Sequence, residues 1–480
     1  MDSRDDDFLK DLHSLVQRLN RMPEAEAAPL TPLGERVRDH LDADPTELPT
    51  VSESVPPHRL VDVDLALDAL AGEDADVLGL RGGQHLRHEE FAGLLASPYA
   101  RVQPGPVEYV SVPTGPGTTR QTKSTALRLF RFGGMPVAAL QRGADPQSGR
   151  EAATLDVVAA SPDVASDLLT EVRRLMAELS VVRGNVVSFA RGEFGSNSIG
   201  RMTFLERPTV TADQVILPDG LLDRVRSHVV DIGGRADELR ARGQHLKRGV
   251  LLYGPPGTGK TLTIRHLIHE TPGTTVVLLQ GAALGLIGEA AALARTMSPA
   301  LVVLEDVDLV AADRGGFGLQ PLLFEVLDAL DGLDGDADVA FVLTTNRAEI
   351  LEPALAARPG RVDLALEIPL PDLPARQQLF QVYGGGLPLS AEALAAAAER
   401  ADGVTASFVK EVIRRAVLRA VSVDRDVTDD DLAVALDAML EDSRGISRVL
   451  FGGDAAADAQ APDGAGSVEF GAFGGDGWRP

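Results

Sequence analysis

The sequence predicts an α/β protein in which a parallel sheet flanked by helices lies between an α+β domain and a helical domain. Residues 208–370 alternate short apolar runs with helical segments, the pattern of strands that are buried on both faces of a parallel sheet. The apolar runs are Gly249–Tyr253, Thr275–Leu279, Ala300–Leu304 and Val339–Thr344. Residues 371–450 are rich in alanine and have helical periodicity, which predicts a small helical domain. Its predicted helices cover residues 390–400, 405–420 and 428–440.

Length and composition exclude several classes of function. The chain has 480 residues, enough for about three domains of ordinary size. A net charge of −25 disfavours binding to the phosphate backbone of nucleic acids. The absence of cysteine excludes disulfide scaffolds, zinc ribbons and thiol catalysis. No apolar run has the ~20 residues of a membrane span, and the N-terminus has no apolar core of a secretory signal, so we expect a cytoplasmic protein.

The N-terminal region begins with a predicted amphipathic helix. Apolar residues recur at helical spacing between Phe8 and Leu19, which predicts a helix within residues 1–22. This helix could dock onto a partner or pack on its own domain, and the sequence leaves both open. Residues 23–57 are rich in proline, glutamate and alanine and predict a linker with a short helix at Leu33–Leu41.

Residues 58–207 predict an α+β domain, to which we assign partner recognition. A helix is expected from Pro162 to about Glu178, because Ser161 precedes it as a cap and proline suits the first helical position. The predicted strands are Val107–Val112, Thr125–Phe132, Pro136–Gln141, Leu155–Ala160 and Asn185–Ala190. The second and third form a hairpin around Gly133 and Gly134. The run Gly115–Thr119 lacks the lysine and spacing of a phosphate loop and predicts a surface turn.

A phosphate-binding loop follows the first strand of the central region. Residues 254–261 fit the Walker A pattern G-x-x-x-x-G-K-[ST] between a strand and a helix. Glycines allow backbone N–H groups to face phosphate, Lys260 can reach the β- and γ-phosphates, and the Thr261 hydroxyl can bind Mg²⁺. The predicted nucleotide-binding residues here are Gly254, Pro255, Pro256, Gly257, Thr258, Gly259, Lys260, Thr261 and Leu262. The alternative is a degenerate loop that binds no nucleotide.

Two acids end a later apolar strand. The run Leu301–Asp308 has the form of a Walker B element, with Glu305 expected to hold Mg²⁺ and Asp306 expected to act as the base that activates water. The order Glu–Asp reverses the commoner Asp–Glu, and the aspartate is one methylene shorter. The alternative is a strand end with solvated acids.

Three further polar residues complete the predicted catalytic set. Asn346 ends another apolar strand and could orient the attacking water. Arg358 and Arg361 lie in one short turn, and guanidinium groups supplied to a neighbouring subunit would stabilise transition-state charge. Surface salt bridges are the alternative for both arginines.

Taken together, residues 208–450 resemble an AAA ATPase module of the AAA+ superfamily. The motifs that carry the resemblance, in the family's order and spacing, are Gly254–Thr261, Leu301–Asp308, Leu327–Leu333, Thr345–Arg347 and Pro353–Asp363. The resemblance implies a P-loop NTPase core with a five-stranded parallel sheet, a C-terminal helical lid, ATP and Mg²⁺ as cofactors, and a homo-oligomeric ring, commonly a hexamer.

The resemblance also implies roles for particular residues. Arg358 and Arg361 would act as arginine fingers, and Gly403 and Ala406 in the run 402–407 would approach the nucleotide base. The Glu–Asp order and the segment Val215–Gly220 resemble the mitochondrial complex III assembly translocase branch of the family.

Two departures from the family pattern bear on function. Leu286 stands where members that thread polypeptide have a pore aromatic, and no H-E-x-x-H metalloprotease motif occurs.

From the resemblance we expect a ring ATPase that remodels or disassembles an unidentified protein partner, which it recognises through the N-terminal domain. The alternative is a nucleotide-gated assembly scaffold or chaperone with slow turnover. Residues 451–480 are rich in glycine, alanine and aspartate and predict a disordered tail.

Overall fold

The computed structural model divides the chain into two compact units, residues up to Leu370 and residues from Pro371 onward. The described residues are 28–82, 89–98, 101–191, 199–308, 337–347 and 362–451. The helix predicted within residues 1–22, the run Leu327–Leu333 and the tail after residue 451 lie outside these ranges.

An antiparallel sheet forms the first part of the first unit, in the order β1-β7-β6-β5-β2-β3 with β4 paired to β5. Its strands are β1 (Thr50–Val55), β2 (Asp76–Arg81), β3 (Gln103–Gly105), β4 (Glu108–Gly115), β5 (Thr118–Phe132), β6 (Met135–Arg142) and β7 (Ala153–Ala159). The predicted hairpin is confirmed: Gly133 and Gly134 join β5 to β6 with φ angles of 58° and 83°, as a tight hairpin turn with two positive φ angles requires. The predicted surface turn is also confirmed, since it joins β4 to β5.

Helices cover both faces of this sheet. They are α1 (Pro32–Leu41), α2 (Leu60–Ala71), α3 (Phe91–Leu95) and α4 (Pro162–Glu178). Helices α1 and α3 pack on one set of alternating strand residues, and α2 and α4 pack on the other set, so the two cores lie on opposite faces. The predicted start of α4 is confirmed, because the Ser161 side chain accepts a hydrogen bond from the Val164 N–H.

The short helix predicted at Leu33–Leu41 is confirmed as α1, but the linker predicted around it over residues 23–57 is wrong where β1 joins the sheet. Leu33 and Val37 of α1 are fully buried, and β1 pairs with β7 along its whole length. Strand β1 has only two apolar residues, Val51 and Val55, because its other face is polar. A sequence so poor in apolar residues gives a weak strand pattern.

The second sheet of this unit has the order β14-β10-β13-β12-β11-β8-β9. Its strands are β8 (Val186–Arg191), β9 (Ile199–Leu205), β10 (Arg248–Tyr253), β11 (Thr275–Gln280), β12 (Ala300–Glu305), β13 (Val339–Thr345) and β14 (Leu364–Glu367). The four predicted apolar runs are β10 to β13. All pairs are parallel except β8 with β9.

The five-stranded parallel sheet expected from the resemblance is larger in the structure. Strands β14, β10, β13, β12 and β11 form five parallel strands, and β8 and β9 extend them to seven. Val186 and Val187 of β8 pair with Val276 and Val277 of β11. The strand predicted at 185–190 therefore exists but belongs to the second sheet, so the domain boundary predicted at residue 207 does not separate the two sheets.

Two arginines hold the β8–β9 segment in place. Arg207 donates to the carbonyl oxygens of Ile268 and Thr274 at 2.6 and 2.7 Å. Arg183 donates to the carbonyl oxygens of Ser298 and Thr296 at 2.9 and 3.2 Å. Guanidinium groups that bridge several carbonyl oxygens fix the backbone on both sides of the strand pair.

The helices around the second sheet are α5 (Leu221–Arg226), α6 (Ile232–Gly234), α7 (Ala236–Ala241), α8 (Lys260–His269) and α9 (Ile287–Thr296). Leu251 of β10 packs into one core and Val250 and Leu252 into the other, so the sheet is buried on both faces. Leu286 is fully buried in the first of these cores. It is a core residue, and its side chain is not exposed where a pore aromatic is expected.

The second unit is helical in its described part. It contains α10 (Leu373–Gly384), α11 (Ala391–Arg400), α12 (Ala406–Val421) and α13 (Asp429–Phe451). The three predicted helices are α11 to α13, and α10 was not predicted. Side chains of Asp372, Ser390 and Thr405 cap the first three N-termini. Throughout the described ranges, no helix has both the length and the apolar character that a membrane crossing needs.

Candidate active site

The predicted phosphate loop connects β10 to α8. Gly254 has a φ of 140°, and a Cβ atom at this position would lie 2.2 Å from the carbonyl oxygen of Ile368. Only glycine allows both this backbone conformation and this contact. Gly257 and Gly259 also have positive φ angles, of 77° and 116°. The loop therefore has the conformation for which its glycines were predicted.

Helix α8 begins directly after the loop and has no side-chain cap at Gly259. The first N–H groups of a helix and its dipole favour an anion at this end. Thr261 is exposed on the first turn, next to Leu262. The Thr258 hydroxyl instead donates to the Pro255 carbonyl oxygen at 2.9 Å and holds the loop closed.

Lys260 is the cation of the site. Its side chain is 6% exposed, and its ammonium group donates to the carbonyl oxygens of Gly254 and Pro255 at 2.7 and 2.8 Å. Burial lowers the pKa of Lys260, while the carboxylates of Asp306 and Asp308 act in the opposite direction. Lys260 thus lies within electrostatic reach of two acids at the end of β12.

The ends of β12 and β13 are joined by several hydrogen bonds. The Asp306 N–H donates to Thr344 Oγ1 at 2.9 Å, and the Asn346 side-chain amide donates to Asp306 Oδ1 at 3.3 Å. Asp308 is buried, and its Oδ1 accepts from the Thr345 hydroxyl at 3.0 Å and from the Asn346 N–H at 3.1 Å. Asp306 and Asn346, predicted separately, therefore contact each other.

Glu305 lies next to this group at the end of β12. Its carboxylate accepts a hydrogen bond from the Gln280 side chain, which stands at the end of β11. Gln280 is not among the predicted site residues, because the predicted apolar run ends at Leu279. The signal was available, since a polar residue ends each neighbouring strand. Thr344 and Asp308 were also given no role, and their contacts depend on the pairing of β12 with β13.

The predicted metal ligands, Thr261 and Glu305, fit the chemistry of Mg²⁺. Mg²⁺ prefers hard oxygen ligands and is commonly held by one or two protein groups together with phosphates and water. A hydroxyl on the first turn of α8 and a carboxylate at a strand end are donors of that kind. Across the described ranges, no cluster of three or more His, Asp or Glu side chains could hold a metal by itself.

The remaining predicted residues divide between the second unit and the residues not described. Gly403 has a φ of 72°, and Ala406 is the first residue of α12. Arg358 and Arg361 lie outside the described residues. Asp363, two residues further on, exchanges hydrogen bonds with Gly249: its N–H donates to the Gly249 carbonyl oxygen, and its carboxylate accepts from the Gly249 N–H, both at 2.9 Å.

A parallel α/β sheet with a glycine-rich phosphate loop after one strand and acids at the end of another defines a P-loop nucleotide-binding domain. Residues 250–370 match the family described as "ATPase family associated with various cellular activities (AAA)". Over these residues the chain is similar to AAA ATPases.

Similar proteins align with about half of the chain. A proteasome-activating nucleotidase from Methanothermobacter thermautotrophicus is 33% identical over 271 residues, which cover 52% of this chain and 65% of that protein. The protein of the same name from Saccharolobus solfataricus is 32% identical over 254 residues, covering 49% and 64%. The ATP-dependent zinc metalloprotease FtsH 2 from Sphaerobacter thermophilus is 32% identical over 302 residues, covering 58% and 45%. The chain thus spans less than two thirds of the length of these relatives.

Proposed function

We propose that this protein is a Mg²⁺-dependent ATPase that forms a ring and uses ATP hydrolysis to remodel a protein partner. The observation that carries the proposal is the placement of Lys260, Asp306 and Asn346 together at one edge of the second sheet. A cation for the phosphates, a carboxylate base and an amide that can orient water are the groups that phosphoanhydride hydrolysis needs.

Each group has a specific task. ATP would supply the phosphoanhydride bond, and Mg²⁺ would neutralise phosphate charge. Lys260 would exchange the loop carbonyl oxygens for phosphate oxygens, and Thr261 and Glu305 would hold the metal. Asp306 accepts the proton of the attacking water, which Asn346 orients.

Phosphate release by the purified full-length chain tests the enzyme proposal. Lys260→Ala and Asp306→Asn should each abolish Mg²⁺-dependent release, and Asp306→Asn should still bind ATP. Lys410→Ala and Asp167→Asn are matched controls, because both side chains are exposed and neither residue belongs to the phosphate loop, β12 or β13. Equal release by the wild type and both site variants would overturn the proposal.

The ring proposal assigns Arg358 and Arg361 to the site of a neighbouring subunit, as the resemblance implies. An Arg358→Ala/Arg361→Ala double variant and Lys260→Ala should each be inactive alone. Mixed, they should recover part of the activity, because some interfaces then combine an intact loop with intact arginines. Mass photometry with and without ATP gives the ring size. If the mixed assemblies recover no ATPase activity, the arginines do not act on the nucleotide of a neighbouring subunit.

Three finer assignments belong to the same proposal. Gly403 and Ala406 are assigned to the adenine. The order Glu305–Asp306 supports placing the ATPase core near the mitochondrial complex III assembly translocase branch. The third assignment is the location of the protein, which we place in the cytoplasm.

A second candidate is a nucleotide-gated scaffold or chaperone with slow turnover, which the burial of Leu286 favours. Without an exposed side chain at that position, grip on a threaded polypeptide is weaker. Asp306→Asn separates the two candidates. A scaffold keeps its ATP-dependent assembly and its effect on a captured partner in this variant, whereas a motor keeps the capture but loses release of the partner.

A further inference from the structure

The backbone of Asp306 is unusual among the described residues. Three non-glycine residues there have positive φ angles: Asp42 at 53°, Asp306 at 51° and Asp424 at 52°. Asp42 and Asp424 follow the C-termini of α1 and α12, where a left-handed residue is common. Asp306 instead follows a strand, so its conformation has no such origin. Conformations of this kind persist only when surrounding contacts enforce them.

Thr344 supplies those contacts. Its hydroxyl oxygen accepts the Asp306 N–H at 2.9 Å, and its carbonyl oxygen accepts the Val307 N–H at 3.0 Å. Thr344 is 1% exposed within β13, beside β12. A buried β-branched side chain has little rotamer freedom, and solvent cannot compete for its oxygen. One residue therefore fixes two successive N–H groups at the start of the turn.

The left-handed turn determines where the Asp306 carboxylate lies. In this conformation Oδ1 accepts from the Asn346 side chain at 3.3 Å, and the carboxylate influences the Lys260 ammonium. An aspartate is one methylene shorter than a glutamate, so its reach toward a water near the phosphates depends more on the backbone than on the side chain.

We propose that Thr344 is a positioning residue for hydrolysis: its hydroxyl holds Asp306 in the left-handed conformation that places this short carboxylate beside Asn346 and Lys260. The inference rests on the proposed ATPase function. It adds that the Thr344 hydroxyl positions Asp306, the proposed base. Thr344 is buried and acts through Asp306.

Thr344→Val and Thr344→Ser form a matched pair, because valine keeps the shape without the acceptor and serine keeps the acceptor. In Thr344→Val, kcat for phosphate release should fall about 10- to 100-fold, since small displacements of a catalytic group have effects of this size. ATP affinity should stay within about threefold, because the phosphate loop is unchanged. Thr344→Ser should retain kcat within about threefold of the wild type. Equal kcat in both variants would overturn the inference.

Amide exchange gives a readout that does not need activity. The peptide that contains Asp306 should exchange faster in Thr344→Val than in Thr344→Ser or the wild type. Unchanged exchange means that Thr344 does not hold residue 306, whatever the kinetics. Wild-type protein that releases no phosphate would defeat the proposed function, and the exchange result would still decide the role of the hydroxyl.

A folding defect is the remaining possibility for Thr344→Val. Thr344→Ala removes the same acceptor with less volume and should show the same loss of kcat. If valine and alanine both prevent folding while serine does not, the hydroxyl serves stability rather than catalysis, and the inference is overturned.

Discussion

At the scale of single residues, Gly254 determines whether the phosphate loop can form. Gly254→Ala should lower the free energy of unfolding by roughly 3 kcal/mol or more, because strained backbone and steric overlap add. The new Cβ would lie 2.2 Å from the Ile368 carbonyl oxygen at a φ of 140°. Urea unfolding measures the loss of stability, and ATP titration measures the loss of binding. Both the free energy of unfolding and the ATP affinity should fall in Gly254→Ala.

Gly133→Ala is the control for this prediction. Gly133 also has a positive φ, but no atom lies within 4 Å of a Cβ placed there. The expected loss is about 1 kcal/mol, the cost of the left-handed conformation alone. Equal losses at the two glycines would show that the contact with Ile368 is unimportant.

His58 makes stability depend on pH. Burial, assisted by the charge of Arg59, lowers the pKa of His58 from 6.5 to about 4. The unfolded chain therefore binds the proton first as pH falls, so stability is full above pH 6.5 and declines toward pH 4. The difference amounts to roughly 3 kcal/mol. Unfolding by urea at pH 7 and pH 4.5 should show this loss in the wild type.

His58→Gln should lose the His58 contribution to this pH dependence, because glutamine does not titrate. His245→Gln removes an exposed histidine and should keep the wild-type profile. A His58→Gln protein that loses as much stability as the wild type between pH 7 and pH 4.5 would assign the effect to other groups.

At the scale of elements, a buried ion pair fixes α2 on β5. Arg128 is fully buried and forms salt bridges with Asp64, which is also buried, and with Asp68. Arg128→Ala should cost about 3 kcal/mol, the lower end of the range for a broken buried pair, because Asp64 then keeps only its contact with Lys123 at 3.3 Å. Arg36→Ala removes an exposed pair with Asp76 and should cost less than about 1 kcal/mol. Urea unfolding compares the two, and similar losses would contradict the difference in burial.

The elements that the sequence predicts well are those set by neighbouring residues. The β5–β6 hairpin follows from two glycines between apolar runs, and α4 follows from Ser161 and Pro162. Strand β8 was recognised but assigned to the wrong domain, because its partner Val276 is far away in the chain. An apolar run indicates a strand but does not identify the sheet it joins.

The candidate site shows the same division. Its phosphate loop is a continuous motif, so Gly254 and Lys260 could be located from the sequence. Thr344 could not, because its role depends on a hydrogen bond across two strands to the Asp306 N–H. The strand pattern marks Thr344 as a buried residue but not as the residue that controls a neighbouring turn.

At the scale of the whole molecule, the β8–β9 pair ties the N-terminal part to the second sheet. A fragment that begins at residue 208 should aggregate or melt at lower temperature than one that begins at residue 180. The shorter fragment exposes the edge of β11 and loses Arg183 and Arg207, and unpaired apolar edges promote association. Size-exclusion chromatography and thermal unfolding test this, and equal behaviour would show that β8 and β9 are dispensable.

The second sheet, which β8 and β9 extend, also limits where this chain can be joined to another protein in a chimaera. A recognition module on a flexible tether can be exchanged for another by crossing over anywhere in the tether. Here a crossover between residues 186 and 205 would cut through the strand pair beside β11. Folded chimaeras should therefore be obtained with junctions upstream of Val186, so that the strand pair is inherited together with the second sheet.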